Sequence, residues 1–303
     1  MKALEIKNLK KTFKSNFLIK KYHVLKDINL SVEQGEVYGF LGPNGAGKTT
    51  TIKCILGITF PDAGEISLLG HPANTIESKK KLGFLPEQPY FYDYLTPVEL
   101  LTFTGRLFGI PNPSLAKRIQ ELIHRVGLEG KENIKLKKFS KGMLQRIGLA
   151  QALVHNPELL ILDEPFSGLD PIGRKELRDI ILSLKEGGKT VFFSSHILQD
   201  MELMVDKVGI ITAGKTRKEG KLSELISLSV HNYEIVFTGV TEQVLTGNGL
   251  AFSLRDKDYI AHADTNEETN RIIGIINRAG GNILSVTPSK MTLEDIFLRE
   301  IKE

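Results

Sequence analysis

The chain has 303 residues, of which 41% are hydrophobic and 25% charged, and these proportions exclude a disordered or fibrous protein and leave one large or two smaller packed domains. A formal net charge of +4 is too mild to argue for nucleic acid, and a single cysteine, Cys54, excludes an intramolecular disulfide. No apolar run reaches the roughly 18 residues of a bilayer span, no apolar stretch of a secretory signal follows Met1, and the seven histidines show no metal-ligand spacing, so the expectation is a cytoplasmic protein.

Leu4 to Leu9 and Ile28 to Val32 alternate apolar and polar residues, which predicts half-buried strands at the edge of a sheet. Between them, Phe13 to Lys26 reads as irregular, basic and longer than a simple hairpin needs. Lysines cluster at Lys10, Lys11, Lys14, Lys20, Lys21 and Lys26, and again at Lys135, Lys137, Lys138 and Lys141. Such clusters are either a solvated face or a contact with an anionic membrane surface; no aromatics interleave with them as a single-strand binding platform requires.

Val37 to Leu41 is a continuous apolar run, followed by Gly42-Pro43-Asn44-Gly45-Ala46-Gly47-Lys48-Thr49-Thr50 and then by the apolar-periodic Thr51 to Leu56. Strand, glycine-rich loop and helix at the spacing G-x-x-x-x-G-K-T make a P-loop. There backbone N–H groups surround phosphates, Lys48 reaches the outer ones and the Thr49 hydroxyl ligates Mg²⁺. A plain glycine-rich turn does not call for the strand before and the helix after. ATP or GTP binding is therefore expected, with Cys54 a small packing residue on the helix.

Thr96 to Asn156 reads as wholly helical. Thr96-Pro97-Val98-Glu99 is a capping box with proline at the first helical position, Gly109 is a stop, and Leu115, Ile119, Leu122, Ile123 and Val126 fall at helical spacing. A third helix is predicted from Lys141 to His155, closed by Pro157. Leu159 to Leu162, Val191 to Phe193 and Val208 to Ile211 are short apolar runs, the pattern of parallel strands covered on both faces. The alternation predicts an α/β layered domain with nucleotide at the carboxyl ends of its strands.

Beyond Lys218 to Lys221 the pattern changes. Tyr233 to Thr238, Ala251 to Leu254, Tyr259 to His262 and Ile283 to Thr287 read as strands, with a turn at Arg255 to Asp258. Thr241 to Leu245 and Thr269 to Arg278 read as helices. The order β-α-β-β-α-β is that of a ferredoxin-like α+β unit.

Two stretches carry chemistry beside the P-loop. Leu159-Leu160-Ile161-Leu162-Asp163-Glu164-Pro165 is a strand ending in two carboxylates, which suits Asp163 as a metal ligand and Glu164 as acceptor of a proton from an attacking water. Phe139-Ser140-Lys141-Gly142-Met143 opens the third helix, where Ser140 is either a plain N-cap or part of a phosphate-binding helix start.

P-loop, helical insertion, Ser-x-Gly helix start, Leu159 to Pro165, then Ser167-Gly168-Leu169-Asp170 and Ser194-Ser195-His196 resemble, in that order, the ATP-binding subunits of ABC transporters. The resemblance covers about Leu4 to Gly220. It implies a P-loop NTPase fold of the ABC type, α/β with an antiparallel β edge, over residues 1–220 and with a helical subdomain at about 88–157. Residues 221–303 would form the small C-terminal α+β (ferredoxin-like) domain. Gly42 to Thr50 would be the Walker A loop, Asp163 and Thr49 the Mg²⁺ ligands, Glu164 the catalytic base and His196 the switch histidine on the γ-phosphate. Ser140 and Gly142 would be signature residues serving the opposite subunit, and Asp170 would lie in the D-loop. The family's usual L-S-G-G-Q differs here at Phe139, Lys141 and Met143. The Q-loop glutamine falls on Glu87 or, by a one-residue slip, on Gln88; the aromatic that stacks on adenine is Phe13, with Tyr22 as the competitor.

The resemblance further implies an ATPase that pairs head-to-tail with a second copy or a homologous subunit, with ATP and Mg²⁺ between them. It would work through an integral-membrane permease, at the inner face of the cell membrane, without nucleic acid. Pro89 to Leu95, dense in aromatics, is either local packing or the permease anchor. Met291 to Leu298 resembles the tail of the drug, sodium and lipid exporter branch, which favours export.

Overall fold

The computed structural model describes residues 1–14, 21–227, 230–255, 257–290 and 292–302. Six residues of the basic stretch (15–20), Asp256 of the predicted turn and Met291 lie outside the described residues. The chain divides into two compact units, Met1–Leu222 and Ser223–Lys302.

The first unit begins with β1 (Lys2–Lys14) and β2 (Lys21–Glu33), paired antiparallel from Lys2↔Glu33 to Lys14↔Lys21. The stretch expected to be irregular is thus strand on both sides, out to Lys14 and from Lys21. The continuous apolar run forms β3 (Val37–Leu41), and the P-loop leads into α1 (Lys48–Ile55). Next come β4 (Ala63–Leu68), β5 (His71–Pro72), α2 (Ile76–Lys80) and β6 (Leu82–Leu85). α3 (Pro97–Leu107) starts at the expected capping box: Thr96 Oγ1 accepts from Glu99 N at 3.2 Å while Glu99 Oε2 accepts from Thr96 N at 2.8 Å. α4 (Asn112–Arg125) buries Leu115, Ile119, Leu122 and Ile123 on one face.

The insertion is not wholly helical, because turns and a single 3₁₀ turn (Leu136–Lys138) separate α4 from α5 (Lys141–Leu153). α5 stops two residues before the predicted His155. The chain turns at Asn156, whose φ is +57°, and His155 instead stacks on Phe108 with its Nε2 facing Leu82 O at 3.0 Å. The unit closes with β7 (Leu159–Leu162), α6 (Pro171–Glu186), β8 (Thr190–Ser195), α7 (Leu198–Glu202), β9 (Lys207–Thr212) and β10 (Lys215–Lys221), before α8 (Leu222–Ser227).

All ten strands form one sheet in the order β5-β4-β1-β2-β10-β9-β3-β8-β7-β6. β9, β3, β8, β7 and β6 run parallel, and β5, β4, β1 and β2 pair antiparallel. β1 and β2 therefore lie inside the sheet and not at its edge. Their alternation reports one buried face, on which Leu4, Ile6, Leu9, Ile28, Leu30 and Val32 pack with Ile52 and Ile55 of α1. Cys54 is buried there too, and burial pushes its thiol up to about 11. Among the described residues no helix is long and apolar enough to cross a membrane.

The second unit contains β11 (Val230–Thr238), α9 (Glu242–Gly247), β12 (Phe252–Arg255), β13 (Asp258–Ala263), α10 (Asn266–Arg278), β14 (Asn282–Lys290) and α11 (Leu293–Lys302). Its four strands are antiparallel in the order β12-β13-β11-β14, over a core of Ile235, Phe237, Ala261, Ala263, Ile272 and Ile276. A split βαβ order with the first and third strands central is the ferredoxin-like arrangement.

Three rings pack across β3 and β8: Phe192 stacks on its register partner Tyr38 at 5.5 Å between centroids and tilts against Phe40 at 5.4 Å. Tyr38 has room only because Gly209 on β9 faces it, where an added Cβ would collide with the Tyr38 hydroxyl. Phe192→Ala is expected to cost about 3–5 kcal/mol in urea unfolding with little change of m.

Candidate nucleotide site

Four neighbouring parallel strands deliver the site. The P-loop follows β3, Glu87 follows β6, Asp163 and Glu164 follow β7, and His196 follows β8, so all four segments meet at the carboxyl ends of adjacent strands. In the loop, Gly45 and Gly47 adopt φ of +80° and +111°, a region costly to residues with a Cβ. Gly42 passes so close to β9 that a Cβ there would lie 2.6 Å from Ile211 O. α1 then starts with no side-chain cap and no acidic residue in its first turn. Its positive end is left open to an anion.

Lys48 is buried. Its Nζ donates to Gly42 O at 2.7 Å and Pro43 O at 3.4 Å, and lies 3.0 Å from Glu164 Oε1. The other oxygen of that carboxylate, Oε2, is 2.7 Å from His196 Nδ1. Glu164 itself has φ +47°, and its N–H donates to Ser194 Oγ at 2.9 Å. A non-glycine residue held there stores local strain, a feature that clusters at functional sites. The Ser194 hydroxyl in turn donates to Asp163 Oδ1 at 2.7 Å, and the Thr49 hydroxyl stands near the same carboxylate. Burial raises the Asp163 pKa, opposed by those two hydroxyls.

These residues open onto a cleft of about 520 Å³, lined on one side by Pro43, Asn44, Gly45 and Gly47 to Thr50 and on the other by Glu87, Glu164, Ser167 and His196. A larger cleft of about 750 Å³ opens beside α3 and α4, but its lining has Glu129 and Glu132 and no cationic side chain, so it does not suit phosphate. Of the two Q-loop candidates, Glu87 lines the nucleotide cleft and accepts from Ser167 Oγ at 3.3 Å; Gln88 does not line it. Phe13 and Tyr22 are register partners on β1 and β2, both part-exposed, and neither lines the cleft; Val24 does. Ala46 and Gly42 lie behind the loop surface.

Ser140, Gly142 and Asp170 are not brought to this cleft. Ser140 caps α5, its Oγ accepting from Met143 N at 3.3 Å. Asp170 caps α6, its Oδ1 accepting from Gly173 N at 2.8 Å. The two helix starts lie side by side: a Cβ on Gly142 would sit 3.8 Å from Leu169 Cδ2, and one on Gly168 would strike Lys141 Nζ. Reading from sequence did not assign Ser194, Ser167 or Val24 to the site. The signal for Ser194 was present, a hydroxyl at the end of an apolar strand just before His196.

The set fits a nucleoside triphosphate with a small divalent cation. Glycine backbone and an open helix start face the phosphates, a buried lysine stands beside them, and two hard oxygen donors, Thr49 and Asp163, adjoin each other.

A family model described as ABC transporter matches residues 25–167. The chain is similar to an ABC transporter ATP-binding protein of Synechocystis sp., 40% identical over 304 residues that cover 99% of this chain and 85% of that one. It is also similar to the bacitracin transport ATP-binding protein BcrA of Bacillus licheniformis, 38% identical over 301 residues covering 95% and 96% of the two chains. Among solved structures, a dimeric post-hydrolysis state of an ATP-binding cassette with ADP and Pi superposes with a TM-score of 0.65 at 27% identity, over 72% of this chain and 98% of that one.

Ser194 joins Asp163 to the strained backbone of Glu164, so Ser194→Ala leaves a buried N–H without its acceptor. The expected loss is about 1–3 kcal/mol in thermal or urea unfolding, and a variant as stable as the parent refutes the bridge.

Proposed function

The chain belongs to the ATP-binding proteins of ABC transporters, and from that premise we propose how its residues divide the binding and hydrolysis of ATP. It binds and hydrolyses ATP as one half of a dimer, and the hydrolysis powers transport through a separate permease. We assign the phosphates to the Gly42 to Thr50 loop and Lys48, and Mg²⁺ to Thr49 and Asp163. Glu164 is the general base, His196 holds Glu164 and contacts the γ-phosphate, and Glu87 fills the Q-loop position. For adenine we assign the stacking to Phe13, with its register partner Tyr22 as the alternative, although neither lines the cleft.

The observation that carries this reading is the Glu164 carboxylate, gripped by Lys48 through one oxygen and by His196 through the other. Lys48 cannot serve Glu164 and a phosphate with the same ammonium direction. When ATP enters, Lys48 turns to the β- and γ-phosphate oxygens, and Glu164 keeps only His196. Its freed oxygen then accepts the proton of a water aimed at the γ-phosphate. Thr49 and Asp163 would hold Mg²⁺, which when bound would neutralise charge on the phosphates. His196 orients the carboxylate throughout.

Ser140 and Gly142, with the open start of α5, complete the phosphate pocket of a second copy. This is supported by the absence of both residues from the lining of the chain's own cleft and by the place of Gly142 beside Leu169. Because one chain holds every part, two identical copies make two complete sites. The C-terminal unit supports the dimer or regulates it. Tyr90, Tyr92 and Tyr94, 95%, 59% and 59% exposed just beyond β6, supply the apolar anchors of a permease contact, which puts the protein at the inner face of the membrane. The direction we propose is outward, supported by the C-terminal resemblance to the exporter branch.

Glu164→Gln removes the proton acceptor while keeping the shape of the side chain. Turnover is expected to fall by roughly three orders of magnitude while ATP traps a dimer on size exclusion; a variant that hydrolyses ATP at the parent rate sinks the assignment.

A further inference from the structure

Arg174, in the first turn of α6, has no part in the assignments above, yet it touches two loops of the site at once. Its Nε donates to Leu169 O at 3.2 Å, and its Nη1 lies 3.7 Å from Asp200 Oδ2. Leu169 is the residue whose side chain packs at Gly142, beside the start of α5. Asp200 belongs to the first turn of α7, the short helix directly after His196, and α7 has no side-chain cap of its own. The Asp200 carboxylate is mostly buried, and its Oδ2 has no hydrogen bond. Arg174 and Arg178, one turn apart on α6, are the cations that face it. Arg178 has its Nε directed to its neighbour Asp179.

We infer that Arg174 is a positioning residue that ties the Gly168-Leu169-Asp170 turn to the helix behind His196, so that closure of a second copy on that turn is relayed to the histidine that holds Glu164. The inference rests on the proposed composite site. A guanidinium suits this position because its fork donates to the Leu169 carbonyl through Nε while Nη1 sets its charge 3.7 Å from the Asp200 carboxylate, where an ammonium on a flexible stem serves one partner. The near-burial of the Asp200 side chain, with its Oδ2 carrying no hydrogen bond, separates this pair from ion pairs whose two members are both in solvent. The path is continuous: α5 start, Leu169, Arg174, Asp200, α7, His196, Glu164. Its two ends face different copies of the chain, one the partner's nucleotide and the other its own.

The test uses the full-length chain and compares Arg174→Gln, Arg174→Lys, Asp200→Asn and the double variant Arg174→Gln/Asp200→Asn. Each is expected to lower kcat about tenfold with KM for ATP within about twofold, and the double variant to be no worse than the weaker single, as for two ends of one tie. In a Glu164→Gln background, Arg174→Gln is expected to leave the ATP-trapped dimer in place, since nucleotide and partner contacts are untouched. Parent-like kcat in Arg174→Gln, losses that multiply in the double variant, or a loss seen in KM alone overturns the tie. If Arg174→Gln fails to fold, the isosteric Asp200→Asn decides, and full kcat there overturns the tie. A Glu164→Gln variant with parent activity instead sinks the composite-site premise; normal loss in Glu164→Gln beside unchanged kcat in Arg174→Gln rejects the tie alone.

Discussion

One carboxylate organises the site. Glu164 sits almost out of solvent, and a carboxylate in such a place is tolerated only when it is paired. Lys48 takes one oxygen and His196 the other, so a single group from β7 fastens the loop after β3 to the loop after β8. The backbone beneath it is held at φ +47° by Ser194, which also holds Asp163. A substrate phosphate enters this arrangement as a competitor for Lys48. In the proposed mechanism binding and activation are linked through this one ion pair, since the phosphate that draws Lys48 away also frees an oxygen of Glu164.

How much of this could be read from the amino-acid order depends on whether the signal is local. The P-loop, the Thr96 capping box and the apolar runs of β3, β7, β8 and β9 are legible because each depends on residues a few positions apart, or on burial on both faces of a parallel sheet. β1 and β2 were legible as strands but not in their place, since alternation reports burial of one face and is silent on the number of neighbours. β10 left little trace, for its residues are mostly exposed or half-buried and polar, and what holds it is backbone pairing to β9 and β2. The break between α4 and α5 is not legible because apolar residues such as Val126, Leu128 and Leu136 continue through it, buried but no longer in an α-helix.

The parts that escaped sequence altogether are the connecting ones. Ser194 and Asp163 are 31 positions apart, and only the parallel pairing of β7 with β8 brings the hydroxyl to the carboxylate. Arg174 and Asp200 meet because α6 and α7 flank β8 in the chain, a relation that no residue spacing states. Groups that touch phosphate are named by motifs; groups that hold them in place are named by the fold.

The two helix starts with which the chain is proposed to face its partner are each satisfied from within. Ser140 caps α5 through Met143 N, and Asp170 caps α6 through Gly173 N. Capping by their own side chains fixes the geometry of both helix starts before any partner arrives, which lowers the ordering cost of association. The nucleotide side lacks this, for α1 has no side-chain cap and Lys48 is held by Glu164 and by loop carbonyls that phosphate would replace. The asymmetry is one of readiness: a rigid face presented to the partner, and a cleft whose internal pairing is exchanged for ATP. In the proposed dimer, ATP takes the place of that internal pairing in the cleft, while the partner-facing helix starts need no rearrangement of their own caps.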